Sequence, residues 1–475
     1  MKKSLKFETI TPIKRFIGRG HELNRLRVVL SQQESSILIV HGRRRVGKTE
    51  MLEQVLKSKR VLKFEGLENQ NVTAQRRSFL DQLSNYTGNI DIAKLSFKTW
   101  REVFVKLAQE LQNQKNVVVY LEELQWLANY RKDLVSDLKF VWDNYLRKLK
   151  GFKLILCGSA TSFMVKKVLR SKALYSRSIN EIPLAPFSLK EAGEFLSHYS
   201  KAHSLEAYLL FGGIPEYLRY VKNYSTPQEA LNNEAFVVGG YFLTEFERVF
   251  ISSLSQYETH RQIVKAFSNR NFYTRGQLAK KISVAAGGTL TQVLQDLELI
   301  GLVATSKPYG GGARLYYLRD PYLNCYLKLI EPWSNSINSQ RSVGFAINHQ
   351  ALAQYLGYAF ERFCREKHYI LAHILGISGI EYSYGPYEIR KDGLGFQFDL
   401  VFDRKDRCLT LFEIKFQKFD LSTSVINEFE ARLAKVKVPK NYNIQKVLVS
   451  GGPVSRALKE SSYFDRIIEL EELFI

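Results

Sequence analysis

Cysteine is scarce in this chain: four residues in 475, Cys157, Cys325, Cys364 and Cys408, lie far apart and form no C-x-x-C pair. That spacing excludes a disulfide frame or a zinc site and reads as reduced thiols in a cytoplasmic protein. Long apolar runs are missing too. None approaches the roughly 20 residues needed to span a bilayer, so no membrane partner is expected. The start, Met1-Lys2-Lys3-Ser4-Leu5-Lys6, is basic but lacks the apolar stretch of a signal peptide. Acidic residues are in deficit, 47 Asp+Glu against 69 Lys+Arg, and the net charge of +22 points to DNA or another polyanion. The deficit is local. Residues 345–475 hold 18 Lys+Arg against 17 Asp+Glu, and the residues before them hold 51 against 30. Whatever attracts polyanions therefore lies upstream of the last segment. A hydrophobic share of 45% supports real cores, and the length calls for two to four domains.

What is present centres on Gly42-Arg43-Arg44-Arg45-Val46-Gly47-Lys48-Thr49, a complete G-x-x-x-x-G-K-[ST] loop. Ser36 to His41 before it is short, apolar and β-branched, as a buried parallel strand should be. Glu50 to Leu56 after it spaces apolar residues three and four apart, as a helix should. Strand, glycine loop and helix together form a phosphate cradle of backbone N–H groups at a helix N-terminus. In it Lys48 would reach the β- and γ-phosphates and Thr49 would offer its hydroxyl to Mg2+.

Val117 to Glu123 is a second buried-strand pattern and ends in two carboxylates. Glu122 could hold Mg2+ through water, and Glu123 could activate the attacking water. The bland alternative is an acidic helix N-terminus favoured by the dipole. A third strand, Lys153 to Ser159, ends in the hydroxyls Ser159, Thr161 and Ser162, which could sense a γ-phosphate or simply cap a helix. Arg177 could stabilise transition-state charge within the chain or from a neighbouring copy, and assembly with further copies stays open.

FIGRxxEL, GRRRVGKT, VVVYLEELQWL, LILCGSATSFM, LYSRSINEIPLAPFS and FGGIPEYL, in this order, resemble the archaeal-type ATPases, a branch related to the AAA+ and STAND proteins. The resemblance covers about the first 335 residues closely. It implies ATP with Mg2+, consistent with the absence of an N-K-x-D guanine motif. It also implies Gly18 and Arg19 near the base, Lys48 and Thr49 on phosphate and Mg2+, Glu123 as catalytic base, and Gln125 and Trp126 completing the acidic motif. Glu122 departs from it, since that family mostly has Asp there, and slow hydrolysis suited to a switch is compatible with the change.

The expected fold is α/β: a P-loop parallel sheet over residues 1–190, a helical lid over 191–254, a winged helix-turn-helix over 255–335, and a nuclease-like α/β domain over 345–475. In the lid, Gly212-Gly213-Ile214-Pro215 marks a sharp turn with Pro215 opening a helix. Three short amphipathic helices (262–267, 274–281, 289–299) and a hairpin around Gly310-Gly311-Gly312 describe the winged helix. Its third helix has no Lys or Arg. Thr289, Thr291 and Gln292 could touch bases, and Lys265, Arg270, Arg275, Lys280, Lys281, Lys307 and Arg314 could meet phosphates. DNA contact and an intramolecular packing module both remain open.

In the last domain, 395–402 and 409–416 alternate as a hairpin around Asp406, which places Asp399 opposite Glu413. Phe398, Leu400, Phe402, Phe412, Ile414 and Phe416 would face the core, and the acids the open side. Opposed like charges need a cation between them, and Asp…Glu-x-Lys resembles the PD-(D/E)XK nucleases. That resemblance implies Mg2+ or Mn2+ held by Asp399, Glu413 and Glu361, with Lys415 as a catalytic group. The preferred reading is an ATPase controlling a DNA-directed, metal-dependent nuclease-like domain. The alternative is a STAND-like switch whose last domain is inert.

Overall fold

Three six-residue runs bury every side chain on both faces, and they form the middle of one parallel sheet. The strands are β1 (Ser36–His41), β2 (Arg60–Glu65), β3 (Val117–Glu122), β4 (Lys153–Gly158) and β5 (Ile179–Pro183), in the order β2-β3-β4-β1-β5. The edge strand β2 buries Val61, Leu62 and Phe64 and exposes its two ends, Arg60 and Glu65, and no sequence pattern above identified it. Helices Val72–Thr87 and Trp100–Leu111 pack beside it, the first capped by Asn71 and the second opened by a Thr99–Glu102 capping box. Phe79 anchors this layer, stacked on Phe64 at 4.0 Å and edge-on to Trp100 and Phe104.

The computed structural model describes residues 5–10, 16–159, 161–170, 179–251, 257–285, 287–309, 312–339, 347–391 and 394–475. They fall into two compact units, Met1–Ala185 with Val249–Tyr257, and Pro186–Arg248 with Glu258–Ile475. Among the described residues no helix is long and apolar enough to cross a membrane.

The second unit opens with helices Leu189–Phe195, Lys201–Phe211 and Pro215–Val221. The double glycine between the last two is a packing requirement. A Cβ on Gly213 would lie 2.1 Å from Phe187 O, and Gly212 has φ 74°. Helices Arg275–Lys281 and Gly288–Leu299 accompany an antiparallel sheet of β6 (Phe272–Thr274), β7 (Val303–Ser306) and β8 (Leu315–Leu318), in the order β6-β8-β7.

A mixed sheet ends the chain: β9 (Tyr382–Lys391), β10 (Leu394–Arg404), β11 (Cys408–Lys415), β12 (Asn443–Ser450) and β13 (Arg466–Ile468), in the order β13-β12-β11-β10-β9. The β10–β11 register runs from Leu400↔Phe412 to Arg404↔Cys408, the pairing that a hairpin centred on Asp406 requires. The expected open face is a correction. Val401, Leu409 and Leu411 are fully buried, in a cluster with Val425 and Phe429 of helix Ser424–Leu433, so the sheet is covered on that side as well. A register shift between Phe398 and Val401 accounts for part of the misreading. It turns Phe398, assigned to the opposite face, onto Phe429 at 5.1 Å.

Candidate nucleotide site and a second acidic cluster

The glycine loop runs from the end of β1 into helix Lys48–Leu56. Gly47 sits at φ 86° as the helix N-cap, and Arg45 is also left-handed at φ 70°, a conformation that costs a non-glycine residue about 1 kcal/mol or more. A Cβ on Gly42 would fall 2.3 Å from Leu184 O, so the first loop position admits only glycine. Lys48 is buried and its Nζ donates to Gly42 O at 3.0 Å and Arg43 O at 3.2 Å, curled over the loop it serves. Arg19, left-handed at φ 61° just before helix Gly20–Ser31 and next to Gly18 at φ 73°, is buried and donates from Nη2 to Val46 O at 3.0 Å. It therefore braces the loop backbone. Arg44 is exposed and Val46 is buried.

The parallel order places β4 between β1 and β3, so the acids at the end of β3 face the loop across one strand end. Thr49 Oγ1 donates to Glu122 Oε1 at 2.5 Å, and Tyr120 OH donates to the same oxygen at 2.7 Å. Lys63 Nζ lies 2.5 Å from Glu122 Oε2. Burial works to raise the Glu122 pKa, but the contacts with Lys63, Thr49 and Tyr120 outweigh it and hold the carboxyl below its ordinary value. Burial likewise opposes the Lys63 charge, and Glu122 outweighs it. Glu65, paired in register with Glu122, is pushed up by burial and then by that neighbouring carboxylate.

Glu123 is left-handed at φ 49°, an outlier of the kind that clusters at functional sites. The turn directs its carboxylate to Ser159: Oε2 accepts from Ser159 Oγ at 2.9 Å, Ser159 N at 3.2 Å and Gln125 Nε2 at 2.5 Å. Ser159, one of three hydroxyl residues singled out from the sequence, is thus joined to the acid. Arg177 lies outside the described residues.

The thiol of Cys157 beneath this site is pushed up to about 12 by burial, which leaves it an inert packing group. A Mg2+ ion fits the donor set, because a hydroxyl and an acidic oxygen already converge at Thr49 and Glu122. Sequence reasoning missed Lys63 and Tyr120. Tyr120 is two residues before Glu122 on the same strand face and could have been found from that period. Lys63 comes from a strand that no motif marks.

In the last domain the expected residues do converge. Asp399 sits at the register shift, one position beyond the Leu400↔Phe412 pair, and Glu413 is fully buried on the facing strand. Asp399 is pushed up to about 7 by burial and then by the charges of Glu361 and Glu413, with Arg365 and Arg432 pulling the other way. Burial raises Glu361 as well. The surroundings are cationic. Arg432 Nη2 lies 2.5 Å from Glu413 Oε2, and Lys415 Nζ lies 3.0 Å from Glu413 Oε1 and 3.2 Å from Glu428 Oε2. Arg365 Nη1 lies 3.9 Å from Glu361 and donates to Asp399 O at 3.3 Å. Among the described residues, no three His, Cys, Asp or Glu side chains are grouped to hold a metal ion. As it stands the arrangement is an ion-pair cluster, with Lys415 on one oxygen of Glu413 and Arg432 on the other.

Three of the residues named for DNA contact are engaged internally. Gln292 Nε2 donates to Asp296 at 3.2 Å, Arg314 pairs with Glu298 at 3.1 Å, and Lys265 with Glu331 at 3.1 Å. In the loop after β7, Tyr309 N donates to Pro386 O of β9 at 3.0 Å, and a Cβ on Gly385 would meet Lys307 O at 2.3 Å.

A five-stranded parallel sheet, a glycine loop with its lysine and threonine, and an acid pair on the strand beyond its neighbour resemble the core of P-loop ATPases. Residues 16–221 match the family model described as an ATPase domain predominantly from Archaea. Among curated proteins the chain is similar to the uncharacterized protein MJECL04 of Methanocaldococcus jannaschii, 25% identical over 360 residues that cover 74% of this chain and 76% of that one. A second uncharacterized protein of that organism, MJ0424, is 30% identical over 93 residues, 19% of this chain and 82% of the other. Among solved structures the chain is similar to the Walker-type ATPase PABY2304 of Pyrococcus abyssi, at 18% identity and TM-score 0.49, over 69% of this chain and 99% of that one. It is also similar to the ORC2 protein of Aeropyrum pernix, at 15% identity and TM-score 0.45, over 72% and 100% of the two chains.

Proposed function

We propose that this protein hydrolyses ATP with Mg2+ and uses the nucleotide state as a switch on its second unit. The observation that carries the reading is the convergence of Thr49 and Glu122 at 2.5 Å, with Glu123 on the adjoining residue held by Ser159. Mg2+, when bound, would neutralise phosphate charge beside Thr49 and Glu122. Lys48, leaving Gly42 O and Arg43 O, would take the β- and γ-phosphates. Glu123 would orient and deprotonate the attacking water once its bonds to Ser159 and Gln125 loosen. In its present hydrogen bonds that carboxylate is occupied, which supports slow turnover suited to a switch.

Four functional parts follow: the nucleotide core over 1–190, a lid over 191–254 that turns at Gly212-Gly213, a winged-helix module over 255–335, and the domain over 345–475. The internal pairing of Gln292, Arg314 and Lys265 favours packing as the module's main task. The excess of positive charge upstream of residue 345 supports phosphate contact with DNA or another polyanion. A nuclease-like output is the second reading. It has in its favour the meeting of Glu361, Asp399, Glu413 and Lys415, and it requires Arg432 to release Glu413. The deciding experiment is ATP turnover by the full chain. Release of phosphate that depends on Mg2+ and is lost in Glu123→Gln, with nucleotide binding retained, supports the proposal. Wild-type protein that binds no nucleotide would sink it.

A further inference from the structure

Lys63 belongs to no motif, and the chemistry above assigns it no task. It projects from β2 on the face that carries Glu65, beside the face of β3 that carries Tyr120 and Glu122, with Lys63↔Tyr120 and Glu65↔Glu122 in register. Its Nζ lies 2.5 Å from Glu122 Oε2, while Thr49 and Tyr120 take Oε1. Glu122 is thus satisfied on both oxygens, and Lys63 is the only full cation within ion-pair distance of it among the described residues. A buried carboxylate stripped of its cation is costly, so the position calls for one positive partner at a time.

We propose that Lys63 is a positioning residue that serves as the built-in counter-cation of Glu122 and yields that carboxylate when Mg2+ enters with nucleotide. Lys63 thereby sets the Mg2+ concentration at which the site loads. The inference rests on the Mg2+–nucleotide reading of the loop. Two features support exchange over permanent pairing. The Lys63 side chain keeps 26% exposure, so it can move. Glu53 and Glu65 lie close enough to act on its charge, and they offer the ammonium other acids once Glu122 is taken. The extra methylene of Glu over Asp at position 122 gives the carboxylate the reach to touch Thr49 from one side and Lys63 from the other.

The test titrates Mg2+ into full-length protein with a non-hydrolysable, fluorescent ATP analogue and follows binding. Lys63→Met should lower the Mg2+ concentration for half-maximal binding by roughly tenfold, and Lys63→Arg should return it to the wild-type value or above. Mg2+ alone should raise the melting temperature of Lys63→Met more than that of wild type. If Lys63→Met does not fold, Glu122→Asp, whose shorter acid loses reach to Lys63, should move the midpoint in the same direction. A purely structural lysine would change stability and leave the Mg2+ midpoint where it was, and that result overturns the inference. Wild-type protein whose nucleotide binding ignores Mg2+ would overturn the metal reading and this inference together.

Discussion

Glu122 on β3 and Glu413 on β11 are both buried carboxylates in strand ends, and each meets a lysine, Lys63 at 2.5 Å and Lys415 at 3.0 Å. Their remaining partners differ. Glu122 takes the neutral hydroxyls of Thr49 and Tyr120 beside a glycine loop that bares its backbone N–H groups. Glu413 takes a second full cation, Arg432, from a helix that covers the strand face. Among the described residues one acid has a single cation, Lys63. The other is already neutralised twice over. The two acids thus differ in what surrounds them: hydroxyl dipoles and one cation at Glu122, two cations at Glu413.

The largest effect expected in breaking this comparison lies at the first site. Glu123→Gln should lower ATP turnover by roughly 10²- to 10⁴-fold while nucleotide binding persists, measured as phosphate release beside analogue titration. Unchanged turnover would remove the catalytic distinction between the two acid pairs.

Next in size, Arg432→Met should destabilise the second unit by about 3 kcal/mol, because Glu413 keeps only Lys415. Urea unfolding followed by tryptophan fluorescence reads this. A variant as stable as wild type that also binds Mn2+ would instead show Arg432 to be a removable stopper, and would bring the sites together.

A smaller effect concerns pH in metal-free protein. The folded pKa of Asp399, pushed up to about 7, stands above the ordinary value of about 3.9. Between those values the folded state keeps a proton that the unfolded state releases. Stability should fall as pH rises through that window and level off above it. Asp399→Asn should flatten the slope in melting temperatures taken from pH 5 to pH 8, and an unaltered slope would show that Asp399 is not the group responsible.

The smallest expected change is at Lys415. With Arg432 still on Glu413, wild type and Lys415→Ala should both leave supercoiled DNA intact in Mg2+ or Mn2+. Nicking by wild type alone would revive the nuclease reading.

Much of the first site was legible in the chain. Gly42 to Thr49, Glu122 and Glu123 are close in sequence to strands whose continuous apolar runs announce burial, and loop chemistry depends on local backbone. The β10–β11 register was legible for the same reason, since a tight turn at Asp406 dictates which residues oppose each other. Its faces were not legible, because alternation cannot reveal a register shift at Phe398 or a helix arriving from residue 424 onward.

By itself, then, the sequence determined the phosphate loop, the acid pair after a buried strand, the hairpin pairing of the last domain and the uneven charge. All of these rest on short-range geometry: period, turn position and residue type. Only the tertiary structure decided which cation sits on which acid. Lys63 reaches Glu122 across a parallel strand pair that a long crossover separates, and Arg432 reaches Glu413 from a later helix. Neither contact has a local signature, because an ion pair constrains distance in space and leaves separation along the chain free.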